Sequence, residues 1–152
     1  MSDYSIRLAR AGDAAYLPAI ERAAAKLFAD DPAADQVDFN DVWTEDGHRK
    51  LIAKGHCLVA EIGETIVGFL ASQPFGRELH IWEMDVHPDA QGQGFGKQLM
   101  HYCIEQTGNA TLQLDAVDHY PALLSFYHSL GFEIIETGIG LGDKRHLFCL
   151  SR

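Results

Sequence analysis

Three glycines in five positions, Gly92, Gly94 and Gly96, are followed at once by Lys97 and an apolar, helix-like run. Glycine permits positive φ and lets backbone amides approach a ligand closely, at a cost in conformational entropy. Where a strand leads through such a turn into a helix, the first helical amides are unsatisfied and the helix dipole favours negative charge. Lys97 adds a cation in that first turn. The chemistry of this stretch is anion binding, and two nucleotide motifs can be tested against it. A GxxxxGK[ST] phosphate loop fails: Gly92 to Gly96 is one residue short, and Gln98 stands where a magnesium-binding hydroxyl is needed. A GxGxxG dinucleotide fingerprint fails too. Counted from Gly92 its third glycine falls on Lys97, and counted from Gly94 it falls on Leu99.

The elements that must position this turn follow from periodicity. Residues 4–9 alternate and read as an edge-type first strand. A helix starts at Gly12 and Asp13, with Asp13 as N-cap and Leu17, Ile20, Ala24 and Leu27 as its apolar stripe. The polar segment 30–41, which carries Pro32, reads as a loop. A short helix over about 44–54 runs from a Thr44 cap to a Gly55 stop. Strands at 56–62 and 65–71 are split by Gly63 and Glu64, a two-residue hairpin signal. Residues 78–86 form the next strand, the glycine turn follows, and its helix ends near Thr107. Residues 111–117 are a strand, about 120–130 a helix, and 132–138 and 145–151 the last strands. This order predicts a mixed α/β sheet with a parallel portion at the glycine loop.

Bulk properties bound the function classes. A chain of 152 residues with 47% apolar and 22% charged side chains fits one soluble domain with a real core. No run has the length to span a bilayer, and the N-terminus lacks the order of a signal peptide, so a cytoplasmic protein without membrane association is expected. Cys57, Cys103 and Cys149 are widely spaced in apolar contexts and read as reduced core residues. The net charge of −10 argues against nucleic-acid binding and favours a cationic small substrate. Seven acids, from Asp30 to Asp46, crowd one segment. His48, His56, His87, His101, His128 and His146 show no metal-ligand spacing, so they read as surface or structural and no metal is expected.

Gln91-Gly92-Gln93-Gly94-Phe95-Gly96 does fit the pattern Q/R-x-x-G-x-G/A, and the string FYHSLGF (126–132) follows the next strand. Together these resemble the GNAT superfamily of acyl-CoA-dependent N-acetyltransferases. The match is good from Glu78 to Phe132, while the first 55 residues fit only by element order. The resemblance implies a single domain over 1–152: a mixed, mostly antiparallel sheet of about seven strands, with a splayed parallel pair and helices on both faces. It implies that the anion is the pyrophosphate of acetyl-CoA or coenzyme A, wrapped by amides from Gln91 through Lys97. It also implies that the pantetheine arm pairs with strand backbone near Met84 and Val86.

The implied reaction needs a base, an oxyanion donor and an acid. An alkyl ammonium, with a pKa of about 10.4, must lose a proton before it attacks a thioester. The resemblance supplies the oxyanion donor from strand backbone. Tyr127 matches the tyrosine whose phenol protonates the leaving thiolate. His80 occupies the position where many members carry glutamate, six residues before the valine of VHP, and Glu83 is the second candidate base. A water chain is the third. By strand parity His80, Trp82, Met84 and Val86 share one face, with Glu83 and Asp85 on the other, unless a bulge alters it. Tyr120 stands where the family often has an asparagine that contacts pantetheine, so that contact is absent or replaced.

The leading reading is transfer of an acetyl group to a primary amine of a small molecule or peptide, a cationic acceptor being favoured by the acidic segment. An alternative from another class is a noncatalytic acyl-CoA-binding or sensing module. A third is a homodimeric partner-binding protein, a dimer being compatible with the first reading as well.

Overall fold

The structure is a computed structural model and describes residues 4–26, 42–108, 110–117, 121–139 and 146–152. The acidic loop, Tyr120 and the His146 and Cys149 side chains lie outside what is described. In chain order the elements are β1 (Tyr4–Leu8), α1 (Leu17–Ala25), α2 (Glu45–Ile52), β2 (Leu58–Ile62), β3 (Thr65–Phe75) and β4 (Glu78–Val86). Then come α3 (Phe95–Thr107), β5 (Thr111–Val117), α4 (Pro121–Ser129), β6 (Glu133–Ile139) and β7 (His146–Ser151). One sheet holds all seven strands in the order β1-β2-β3-β4-β5-β7-β6. Among the described residues only β4 and β5 run parallel; the other neighbours are antiparallel.

Each face of the sheet carries its own core. On one side α1 and α2 cover Val59, Phe69 and Ala71 with Leu17, Ile20, Leu51 and Ile52. On the other, α3 and α4 cover Leu58, Leu70, Leu79, Ile81, Leu112 and Leu114 with Phe95, Leu99, Met100, Tyr127 and Leu130. Buried apolar side chains contribute about 1.5–3 kcal/mol each, so both layers are held firmly to the sheet. Cys57 and Cys103 are buried free thiols. Burial raises the pKa of both.

Three local features depart from the sequence reading. Asp13 is not the cap of α1. It is the third residue of a 3₁₀ turn, Ala11–Tyr16, and its carboxylate accepts the Arg10 amide at 2.7 Å. The Arg7 guanidinium also claims it, at 2.8 and 3.1 Å, while bonding Glu61 at 3.0 and 3.2 Å. This network, not a simple cap, fixes the entry to α1. Secondly, β3 runs to Phe75, past the expected end at 71, because its partner β4 pairs with it to the Gly76–Arg77 turn. Thirdly, β4 carries a bulge: Ala71 pairs with Glu83 but Ser72 pairs with Ile81, which leaves Trp82 as the extra residue.

That bulge reverses the face assignment beyond it. Leu79 and Ile81 point into the α3 core, and so do Met84 and Val86. Glu83 and Asp85 lie opposite Ala71 and Phe69, which belong to the α1/α2 core. The carboxylates therefore share a face with His80, and Met84 and Val86 do not.

Candidate active site

β4 and β5 pair only from Glu78↔Thr111 to Ile81↔Leu114. Beyond Ile81 the two strands continue without pairing each other, so a gap opens towards the end of β4. The glycine loop lies just past that end. His87 Nδ1 accepts the Asp89 amide at 3.1 Å, and the Gln91 side chain donates to Val86 O at 3.0 Å. Gln91 thus latches the loop to the strand with its side chain. Gly92 and Gly94 have φ of +78° and +83°, a region costly for residues with a Cβ. A Cβ on either would meet nothing within 4 Å, so the glycines border open space.

Helix α3 begins immediately after Gly94. Its first intrahelical bond runs from Gln98 N to Gly94 O at 3.0 Å, which leaves the amides of Phe95, Gly96 and Lys97 unclaimed by the helix. Phe95 is buried and meets Tyr4 edge-on at 5.6 Å, and Gln98 bonds the Tyr4 hydroxyl at 3.3 Å. These contacts fix the helix start. Gly96 sits where a Cβ would come within 3.5 Å of Met84 Cε, so loop and strand approach closely. Gln93 and Lys97 are exposed. Amides, helix dipole and Lys97 together fit a diphosphate.

On α4, Tyr127 is 7% exposed. Its backbone carbonyl accepts amides from Leu130 at 3.0 Å and Phe132 at 3.1 Å, because Gly131, with φ of +92°, turns the chain back. The turn delivers the fully buried Phe132 ring to 5.6 Å from the tyrosine ring. The FYHSLGF string is thus a device for holding one phenol. Burial raises the Tyr127 pKa above the ordinary phenol range, and the Glu83 and Asp85 carboxyls add to the shift. The ring is a neutral proton donor.

Glu83 and Asp85 form a coupled pair at the gap. Burial raises Asp85 well above the carboxylate range, with the Glu83 charge and hydrogen bond next. Burial also raises Glu83, to about 7; the bond from Asp85 opposes this, Glu21 adds to it, and His48 opposes it. Both shifts favour the protonated form of the pair. His80 meets Trp82 edge-on at 4.3 Å, and Trp82 donates to Gln73 Oε1 at 3.2 Å.

Glu83 and Asp85 thus share the α1/α2 face of β4 with His80, which lies beside Trp82, while Tyr127 packs in the α3/α4 layer and the two carboxyls help raise its pKa. Three groups not singled out by spacing join them: Asp85, Glu21 on α1 and His48 on α2. His48, read as surface or structural, is 1% exposed and faces Glu21 Oε1 at 3.6 Å. A helical register with Leu51 and Ile52 marks His48 as inward-facing, which is the one trace it leaves in the sequence.

A bulged strand, a glycine turn over a helix start and a splayed parallel pair define the GNAT class. Residues 53–134 match the family model described as the acetyltransferase (GNAT) domain, and the chain belongs to that family. An uncharacterized N-acetyltransferase, ycf52, of Porphyra purpurea is 40% identical over 68 residues, which are 44% of this chain and 39% of that protein. The chain spans about two-fifths of the length of the curated relatives it matches in this way. The N-alpha-acetyltransferase RimI of Mycobacterium tuberculosis is 27% identical over 100 residues, 62% of this chain and 63% of that protein. Among solved structures, the PaiA N-acetyltransferase of Thermoplasma acidophilum in complex with coenzyme A superposes with a TM-score of 0.77. It is 15% identical and covers 98% of both chains.

Proposed function

We propose that this protein is an acetyl-CoA-dependent N-acetyltransferase acting on a primary amine. The observation that carries the reading is the unclaimed amide cradle at the start of α3 beside the β4–β5 gap, with Glu83 and Asp85 on β4 beyond the last β4–β5 pairing and a buried phenol, Tyr127, on α4. The loop fits a diphosphate, and the Thermoplasma neighbour holds coenzyme A. When bound, acetyl-CoA supplies the thioester. The amides of Phe95, Gly96 and Lys97 and the Lys97 ammonium hold the pyrophosphate, with Gly92, Gln93 and Gly94 shaping the cradle. Backbone at Met84 and Val86 lines the gap.

Glu83, raised to about 7, takes the proton of the acceptor ammonium. The freed nitrogen bonds the acetyl carbon, the carbon–sulfur bond breaks, and the second proton that nitrogen sheds restores the phenol after Tyr127 has protonated the sulfur. On this reading Glu83 is the base, its raised pKa suiting proton uptake near neutrality, with His80, which meets Trp82 edge-on, and water as the alternatives. Acetyl-CoA turnover over a panel of amines tests the reading. Coenzyme A should also raise the melting temperature. A coenzyme A shift with no turnover on any amine would favour a noncatalytic binding module instead.

A further inference from the structure

The family match begins at residue 53, yet α1 and α2 send two polar side chains to the site. Glu21 is 8% exposed and His48 1%. Both Glu21 oxygens accept the Trp43 amide, at 3.2 and 3.4 Å, which steadies the carboxylate. His48 Nε2 faces Glu21 at 3.6 Å and has no hydrogen-bond partner; Asp85 Oδ2, also buried, has none. Buried polar atoms are seldom left unpaired, because each costs about 1–3 kcal/mol. Two orphans beside three carboxyls point to a polar ligand that completes them.

The packing ties these groups into one site. His48 meets Phe69 edge-on at 5.1 Å, and Phe69 pairs with Asp85 across the sheet. Trp43 lies 6.1 Å from the His48 ring and 6.0 Å from Trp82, whose own ring is 43% exposed. Among the described residues no three His, Cys, Asp or Glu side chains converge closely enough to hold one metal ion. The Glu83–Asp85 pair on β4 and Glu21 on α1 supply the acceptors, beside an aromatic wall of Trp43 and Trp82. Ammonium groups have three donors each and are attracted to aromatic faces.

Resting on the acetyltransferase reading, we propose that Glu21, backed by His48 and walled by Trp43 and Trp82, selects acceptors carrying a second cationic group a few carbons from the reacting amine. The reacting ammonium meets Glu83, and the second charge meets Glu21. A free diamine and a peptide with an N-terminal lysine present the same pair of charges.

Calorimetry on the protein without coenzyme A tests this, with four probes: 1,4-diaminobutane, n-butylamine, Lys-Ala-Ala amide and Ala-Ala-Ala amide. The dicationic member of at least one pair should bind about tenfold more tightly, and the preferred pair identifies the source. Glu21→Gln keeps an acceptor for the Trp43 amide and should erase that preference. Equal binding within both pairs in the wild-type protein, a comparison that needs no variant, would overturn the proposal; so would a preference unchanged in a folded Glu21→Gln protein. Turnover with acetyl-CoA separates the two readings. Selective dication binding without turnover defeats only the enzyme reading, and turnover without selectivity defeats only this one.

Discussion

The two sides of β4 present different chemistry. Towards α3 the protein offers main chain: unclaimed amides, glycines in left-handed geometry and an open cradle. Towards α1 and α2 it offers side chains: Glu21, His48, Glu83 and Asp85 under Trp43 and Trp82. Main-chain recognition tolerates changes of side chain but not of backbone conformation. Side-chain recognition behaves the other way round. On the proposed reading, the difference separates what must stay constant for a shared cosubstrate from what can vary with the acceptor.

The sharpest way to break this division is through proton transfer. Tyr127→Phe should lower kcat by about 10²–10⁴-fold, the range for general acid–base catalysis, with coenzyme A affinity within a few-fold. Steady-state kinetics and a coenzyme A titration would read both. A comparable loss in affinity would place the phenol in cofactor binding. Glu83→Gln should cost a similar factor in kcat and abolish the rise in kcat/KM near pH 7. An unchanged pH profile would return the base role to His80 or to water.

On the main-chain side, Gly94→Asp should eliminate the thermal shift produced by coenzyme A. The new Cβ meets nothing within 4 Å, so the fold survives, but φ of +83° costs about 1–2 kcal/mol and the added carboxylate repels the pyrophosphate. Gln93→Ala, by contrast, should leave the shift nearly unchanged, since an exposed side chain adds little where amides bind. A large loss in Gln93→Ala would blur the division.

The smallest expected effects are in stability, and here two acid clusters oppose each other. Burial raises Asp13, but the bonds from Arg7 and from the Arg10 amide outweigh it and leave its pKa lowered. The Arg7 bond lowers Glu61. Groups with depressed native pKa contribute stability above their unfolded values, and that contribution is lost as pH falls through the native ones. Glu83 is raised, so the native state binds the extra proton. Its effect is a loss of stability as pH rises from about 4.3, the unfolded value, to about 7. Melting curves from pH 3 to 8 should show the acid-side loss reduced in Arg7→Met and the loss between pH 4 and 7 reduced in Glu83→Gln. Identical profiles in all three proteins would show that neither cluster is thermodynamically coupled to folding.

The sequence made the cofactor side legible because main-chain geometry has to be spelled in glycine at fixed spacing. Gly92, Gly94, Gly131 and the strand–turn–helix order are all local signals. The acceptor side hinges on one bulge and on contacts between distant segments. Strict alternation put Met84 with His80, and only the extra residue at Trp82 moves Glu83 and Asp85 to the α1 face. Glu21 sits in an ordinary amphipathic helix, and nothing in its neighbours announces a carboxylate turned inward. Asp13 misled for a similar reason: it looks like a cap in sequence, while Arg7, across the strand end, assigns it another task. Of the acidic segment that first suggested a cationic acceptor, Asp30 to Asp41 lie outside the described residues, and Glu45 and Asp46 pair with Arg49 and Lys50 on α2; the acids that carry the inference come from α1 and β4.

The extra residue in β4 also bears on how such a chain can change over generations. Because the strand switches faces at Trp82, replacements at Glu83 or Asp85 fall on the α1/α2 face, and those at Met84 or Val86 fall on the α3 face. Inherited variation can therefore change one face in steps that leave the other untouched. Deleting the single codon for Trp82 would do the reverse, exchanging the two sets of side chains in one stroke. A strand without that insertion would have to trade one specificity against the other.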